Sequence, residues 1–287
     1  MATKKRTLSA RDEAYLRGVL QTATLAALMD SRRWAPGDIA FQGGTSLHLA
    51  HGSARFSEDL DFMVRGGLSL KGLSREVQKR LRLPPDISAD LSVTVTPIKD
   101  EQNPHSFYVT LAGPRVIGSA KVKIELWQTP TTAMRALTLK VSTIASSTGQ
   151  AFVPTLTLPE IFADKVYALG GRNRIKPRDV FDVWWLCEQG VAGVNPDLLR
   201  ARLGIYPAAS GQESDTAQKW LINAAARLAE LQAPEAVDKV AKDLKRWLPS
   251  SWPMDAAAAG RMLALAIEHL RLGMEMVRGL AAQPQHG

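Results

Sequence analysis

Residues 39–64 read IAFQGGTSLHLAHGSARFSEDLDFMV, and this stretch decides the fold. Ile39, Ala40 and Phe41 run apolar into Gly43 and Gly44, and Thr45 to Ala50 reads as a short helix starting directly behind the glycines. Two glycines let the backbone come close to an anion, and the helix behind them turns free N–H groups and its positive dipole end toward that anion. Asp59 to Val64 reads as a short strand. Residues two apart on a strand share a face, so Asp59 and Asp61 project together, about 6.6 Å apart along the strand. Such a pair suits two divalent cations about 3.5 to 4 Å from each other, one polarising an attacking hydroxyl and one holding a triphosphate. Hard oxygen ligands select Mg2+ or Mn2+. Each half has a plainer reading by itself, since a Gly-Gly before a helix is often only a turn and Asp-x-Asp is often an exposed edge. In this order they read as the two halves of a nucleotide site.

Upstream, Ser9 with Asp12 three residues later forms a capping-box pattern, and Leu16, Val19, Leu20, Ala23, Ala27 and Leu28 recur at helical spacing, predicting a helix from Ser9 to Asp30. Downstream, Leu73, Val77 and Leu81 mark a basic amphipathic helix that ends at Pro84 and Pro85. Leu91–Ile98, Phe107–Ala112 and Ala120–Trp127 are β-branched or alternating and lie between turn signals, so they are expected as a meander beside the Asp-x-Asp strand, with another short strand at Leu137–Val141. From Pro159 onward the pattern is helical, through Arg178–Cys187, Asp215–Glu230, Pro234–Trp247 and Asp255–Val277. The expected architecture is therefore α+β, a mixed sheet with flanking helices over residues 1–152 followed by a helical domain over residues 153–287.

Composition narrows the function classes. Of 287 residues, 36 are Lys or Arg and 28 Asp or Glu, a net charge of +8, and 45% hydrophobic with 22% charged residues describes a globular chain rather than a disordered or fibrous one. The basic excess favours a polyanionic partner, although a solvated basic surface gives the same balance. Cys187 is the single cysteine, which excludes an intrachain disulfide and paired-cysteine zinc sites and points to a reducing, cytoplasmic setting. The N-terminal run reaches Arg11, Asp12 and Glu13 without the apolar stretch of a secretory signal. No segment approaches the roughly 20 apolar residues of a membrane span, so no membrane role is expected.

The order Gly-Gly, Asp-x-Asp resembles the nucleotidyltransferase superfamily that shares a fold with DNA polymerase β, in which a third carboxylate follows on a later strand. Glu125, between Ile124 and Leu126, lies where that carboxylate is expected, although an edge strand with Lys121 and Lys123 also accommodates a simple surface acid. Within the superfamily the chain is similar to the AbiEii/AbiGii toxin family, which includes the MenT toxins. The matching stretches are Gly43-Gly44-Thr45-Ser46-Leu47, Arg55 through Ser57 to Asp59-Leu60-Asp61-Phe62, Lys121 with Glu125, and Lys165 followed by Arg178-Asp179-Val180-Phe181-Asp182.

The resemblance implies active-site roles for Lys165 and Asp179 and a Ser57 whose modification silences the enzyme. Lys165 lies on a helix whose apolar face is Ile161, Phe162, Val166 and Leu169, so its ammonium is expected free to reach the β/γ-phosphates of an NTP. Gly43, Gly44, Thr45 and Ser46 are expected around phosphate, Ser57 to offer its hydroxyl, and Arg55 to clamp phosphate bidentately unless it only shapes the loop. Asp182 is expected to be structural, Cys187 to be a buried small hydrophobe without a base partner, and Trp184 and Trp185 to be core.

The reaction implied is metal-dependent transfer of NMP from NTP, with Asp59 and Asp61 on the metals and Glu125 as a further carboxylate or base. The cluster Arg172, Arg174, Lys176 and Arg178 favours an RNA acceptor, which the resemblance sharpens to the 3′ end of tRNA and a block of translation, with a cognate antitoxin as partner. Protein and small-molecule acceptors compete with this reading, and a non-catalytic RNA-binding module is the alternative of another class. The helices from Asp215 onward serve acceptor docking or antitoxin contact, with no residue favouring either.

Overall fold

The computed structural model describes residues 5–99, 102–146, 149–209 and 216–281 and forms two compact units. Unit 1 comprises Met1–Gly52 and Ser57–Leu156, and unit 2 comprises Ser53–Phe56 and Thr157–Gly287.

Unit 1 begins with β1 (Arg6–Thr7) and α1 (Ala10–Asp30). Ser9 caps α1, its hydroxyl accepting from Asp12 N–H at 3.1 Å while the Asp12 carboxylate accepts from Ser9 N–H at 2.9 Å, so the capping box forms as expected. β2 (Ile39–Gln42) leads straight into α2 (Gly43–His51), and β3 (Leu60–Arg65) follows. α2 therefore starts on the glycines themselves, and β3 starts one residue after Asp59. α3 (Leu73–Arg80), α4 (Pro85–Ser88), β4 (Ser92–Lys99), β5 (His105–Ala112), β6 (Val116–Ile117), β7 (Ala120–Thr129), α5 (Thr131–Ala136), β8 (Leu139–Ser146) and β9 (Gly149–Leu156) complete the unit.

The sheet has the order β4-β5-β7-β3-β2-β9-β8. β3 runs parallel to β7 and antiparallel to β2, while β2 runs parallel to β9, which makes the sheet mixed. One face carries Ile39, Phe41, Leu60, Phe62, Phe107, Val109, Val122, Ile124, Ala151 and Val153, packed with Leu20, Leu25 and Leu28 of α1 and Val77 of α3 into a common core. Phe41 stacks on Phe62 at 5.1 Å between ring centroids. Alternation then turns Asp61, Lys123 and Glu125 to the other face.

Two expectations change. The sheet gains β9, a strand not foreseen, because the expected domain boundary falls within it; in the fold Pro154 faces Val141 of β8 and Thr155 meets Phe41 of β2. Unit 1 consequently runs to Leu156 instead of ending at residue 152, and four residues of the expected first domain, Ser53–Phe56, fall in unit 2.

Unit 2 contains α6 (Leu158–Gly171), α7 (Pro177–Glu188), α8 (Pro196–Ala209), α9 (Thr216–Leu231), α10 (Ala236–Leu244) and α11 (Ala256–Ala281). The expected helix start at Asp215 lies outside the described residues. Ile161, Phe162, Val166 and Leu169 of α6 and Val180, Phe181, Val183 and Leu186 of α7 are buried. Among the described residues no helix is long and apolar enough to cross a membrane. α6 and α9 meet at Gly170, where a Cβ would stand 2.4 Å from the Trp220 ring, and that indole donates to the Tyr167 carbonyl at 2.9 Å. Gly170→Ala is expected to lower unfolding stability by about 1–3 kcal/mol through overpacking, read from urea melts; an unchanged midpoint would show that Trp220 moves aside freely.

Candidate active site

In unit 1 the β-sheet register builds the site. Gln42 faces Asp61 across β2 and β3, Asp61 faces Glu125 across β3 and β7, and Glu125 faces Ser106 across β7 and β5. Adjacent strands lie about 4.8 Å apart, so Asp61 and Glu125 are lateral neighbours on one face. Gly43 lets the Asp61 side chain pack directly against the turn. Its φ is +79°, and a Cβ there would stand 2.8 Å from Asp61 Oδ2, so both the turn and the carboxylate require glycine.

Asp59 is placed by its backbone. The Thr45 hydroxyl donates to the Asp59 carbonyl, while buried Gln21 of α1 donates to the carbonyls of Ser57 and Glu58 at 2.8 and 3.1 Å. The Ser46 hydroxyl donates to the Gly43 carbonyl at 2.9 Å. Thr45 and Ser46 thus brace the turn with their hydroxyls. Gly44 is buried and Ser57 half-buried.

Glu125 pairs with Lys123 two residues before it. Burial alone would lower the Lys123 pKa, but its hydrogen bond to Glu125 and the charges of Glu125, Tyr108 and Asp59 outweigh burial and raise it. Among the described residues no three His, Cys, Asp or Glu side chains stand grouped as a metal-ligand set. Of the oxygen donors on this face, Asp61 and its register neighbour Glu125 stand beside the Gly43 turn, a donor chemistry that suits a hard divalent cation.

Unit 2 holds a separate buried network. Arg55 Nε and Nη2 donate to the two carboxylate oxygens of Asp182 at 2.7 and 2.8 Å, and Nη1 donates to the Phe56 carbonyl at 2.8 Å. Lys165 Nζ lies 2.8 Å from Asp182 Oδ2 and 3.1 Å from Asp179 Oδ1. Arg172 Nε reaches ion-pair distance of Asp179 Oδ2, 2.9 Å, without the angle of a hydrogen bond. Arg55, Lys165, Asp179 and Asp182 are all buried, Asp182 completely. Burial disfavours ionised Asp179, but Lys165 first, then Arg172 and Arg55, hold its pKa well below the ordinary 3.8. The Lys165 pKa is raised, because Asp182 and Asp179 outweigh its own burial.

Arg55 directs its bidentate face to Asp182. Two expectations are corrected here: Lys165 is held by two carboxylates rather than free, and Cys187 has a base beside it, His269 Nε2, 3.3 Å from its sulfur. The thiol stays protonated, its pKa pushed up to about 11 by burial and then by Glu268 and Glu188. Of the basic cluster, Arg174 is exposed, Arg172 meets Asp179, and Arg178 stacks 4.1 Å over the Trp247 ring. Lys176 is the N-cap residue of α7. Trp185 is buried as expected, while Trp184 is half-buried against Trp252. Lys123 was legible in Lys-x-Lys-x-Glu, since alternation puts it on the face of Glu125. Gln21, and the pairing of Arg55 with Asp182, had no local signal.

The family model for the nucleotidyl transferase AbiEii toxin of type IV toxin–antitoxin systems matches residues 28–259. The chain belongs to the AbiEii family. It is thus a nucleotidyltransferase of a toxin family, and the matched span includes Gly43, Asp59, Asp61, Glu125, Lys165 and Asp179. Solved structures share the fold. MenT4, a nucleotidyltransferase toxin from Mycobacterium tuberculosis H37Rv, superposes with TM-score 0.55 at 17% identity, over 96% of this chain and 90% of its own. JHP933 from Helicobacter pylori gives TM-score 0.53 at 20% identity, over 96% and 99%. An H. pylori protein assigned as a nucleotidyltransferase gives 0.55 at 19%, over 95% and 99%. No curated protein matches the chain.

Two outcomes follow for this AbiEii chain. Asp182→Ala leaves Arg55 and Lys165 buried without their shared counter-ion and is expected to cost about 3–5 kcal/mol in urea unfolding, with Asp182→Asn milder; equal stability of both variants to wild type would refute the network. Asp179, with its depressed pKa, contributes stability that is full above 3.8 and lost as pH falls through its folded value. The urea midpoint should therefore drop on the acid side, and Asp179→Asn should flatten that limb.

Proposed function

We propose that this AbiEii-family nucleotidyltransferase transfers NMP from an NTP to the 3′ end of tRNA in the cytoplasm, with Mg2+ or Mn2+ bound, and so halts translation until a cognate antitoxin counters it. The observation that carries the reading is Asp61 seated between Gly43 and Glu125, one carboxylate shared by a phosphate-type turn and a second acid. Asp59 and Asp61 are the ligands for the metal, which when bound neutralises triphosphate charge and lowers the pKa of the attacking hydroxyl. Gly43, Gly44, Thr45 and Ser46 form the turn against the phosphates, with Ser57 adjoining.

In the transfer, the acceptor hydroxyl oxygen bonds to the α-phosphorus as the bond to the bridging oxygen of the β-phosphate breaks. Pyrophosphate leaves with the electron pair, and Glu125 takes the hydroxyl proton. Lys165 supplies positive charge for the triphosphate, with Asp179 and Asp182 fixing its ammonium. Arg55 acts as a positioning residue ahead of Ser57 and Asp59. Arg172, Arg174, Lys176 and Arg178 contribute to RNA binding, with Arg174 the exposed member.

The test is incorporation of each α-labelled NTP into total tRNA, with Mg2+ or EDTA, by wild type, Asp59→Ala and Lys165→Ala. Labelled tRNA that falls by ~10²-fold or more with EDTA or either substitution supports the reading. Label on protein would redirect the acceptor to a protein hydroxyl, and NTP binding with no label anywhere would sink the tRNA reading and send the search to small-molecule acceptors or a regulatory RNA-binding role. Expression of wild type in a bacterium should arrest growth and Asp59→Ala should not; equal growth would sink the toxin assignment.

A further inference from the structure

The sheet face that carries Asp61 and Glu125 continues outward. On β7, Lys123 and Lys121 follow Glu125 on the same face, because Val122 and Ile124 turn into the core. Register sets Lys123 beside Tyr108 and Lys121 beside Thr110 on β5, and then Tyr108 beside Thr96 and Thr110 beside Thr94 on β4. Lys121, Thr94 and Thr96 are exposed, and Lys123 and Tyr108 half-buried. Lys121 Nζ sits 3.4 Å from the Tyr108 ring centroid, while Lys123 turns back to Glu125. From Glu125 to Lys121 the strip runs about 13 Å along the strand.

Its chemistry is an aromatic ring between two ammonium groups, bordered by threonine hydroxyls, with an acid only at the inner end. Two cations complement consecutive phosphates, and a ring accepts any base by stacking, which is the combination that holds single strands without sequence preference. The strip is open. A cavity of about 360 Å³ in this unit lies instead beside Leu68, Leu70, Lys71, Asn103 and His105, and His105 shares the core-side parity of Phe107. The carboxylate strip, by contrast, offers an extended polyanion an exposed surface at Lys121, Thr94 and Thr96.

We propose that Lys123, Tyr108 and Lys121 form the track for the single-stranded end of a nucleic-acid acceptor, with the terminal hydroxyl at the Asp61–Glu125 end. This rests on the RNA-acceptor reading above. As the strand lies down, a base takes the place of Lys121 over Tyr108, and Lys121 exchanges the ring for a phosphate.

The experiment measures anisotropy of a labelled, short single-stranded oligoribonucleotide in EDTA across a salt series, and separately Mg2+-NTP affinity, for wild type, Tyr108→Ala, Tyr108→Phe and Lys121→Ala. The expected result is oligonucleotide affinity at least about 5-fold weaker for Tyr108→Ala and retained by Tyr108→Phe. Lys121→Ala should reduce the slope of log affinity against log salt by about 0.7, and NTP affinity should be unchanged throughout. Wild-type oligonucleotide affinity in both alanine variants would overturn the track while leaving the RNA acceptor standing. Loss of NTP affinity alongside would overturn it by assigning the strip to the nucleotide. Wild type that binds Mg2+-NTP but no oligonucleotide at any salt would remove the RNA acceptor and the track together.

Discussion

The parallel pairing of β3 with β7 is the constraint on which the rest depends. Leu60 lies beside Ile124 and Phe62 beside Leu126, all fully buried, so hydrophobic burial fixes the register from one face. A slip of one residue would turn Asp61 into the core and Leu60 into solvent. The same register that satisfies the apolar face thereby places Asp61 beside Glu125 on the other. The acids need no attraction of their own to meet; packing on the opposite face holds them as neighbours, with Lys123 paired to Glu125. The Gly43 turn then closes on Asp61 because β2 pairs with β3 through Gln42 and Asp61.

Unit 2 is organised by charge where unit 1 is organised by packing. Two buried cations, Arg55 and Lys165, share one cluster with two carboxylates, the partly exposed Arg172 stands at its rim, and Asp182 serves both buried cations at once. Burying such groups costs several kcal/mol each unless every partner is present, so the arrangement is all-or-none. It ties α6, α7 and the short segment around Arg55 to one geometry with a precision that apolar contacts, being non-directional, do not give. A second buried arginine, Arg202, does the same between Glu160 and Asp164, at 2.7 and 2.6 Å.

Much of this was legible in the chain. Glycine pairs, alternation and capping are local signals, and they located α1, the turn at Gly43, the Asp-x-Asp strand and the meander of β4, β5 and β7. Local signals also misled where local and distant demands differ. β9 contains Pro154, which ordinarily marks a break, yet the strand pairs on both sides at Thr155, with Lys140 and with Phe41. The Lys165 helix showed its apolar stripe, but amphipathicity says which side is dry and not what waits there; Asp179 and Asp182 turned an expected free ammonium into a paired one. Arg55 and Asp182 lie 127 residues apart, and no spacing rule joins residues at that separation. Charge type alone left Arg55 equally suited to phosphate or to carboxylate.

The segment Ser53–Phe56 gives the chain an unusual order of assembly. Arg55 and the Phe56 N–H emerge early in synthesis, but their partners, Asp182 and the Trp247 carbonyl, come much later. Joining them closes a long loop whose entropy must be lost before the contacts repay it. The helical unit is consequently not a separable C-terminal piece. Cut at Leu156, it would lack the guanidinium that Asp182 was folded to meet. A chain built this way leaves the Arg55 guanidinium waiting for a partner that is made 127 residues later.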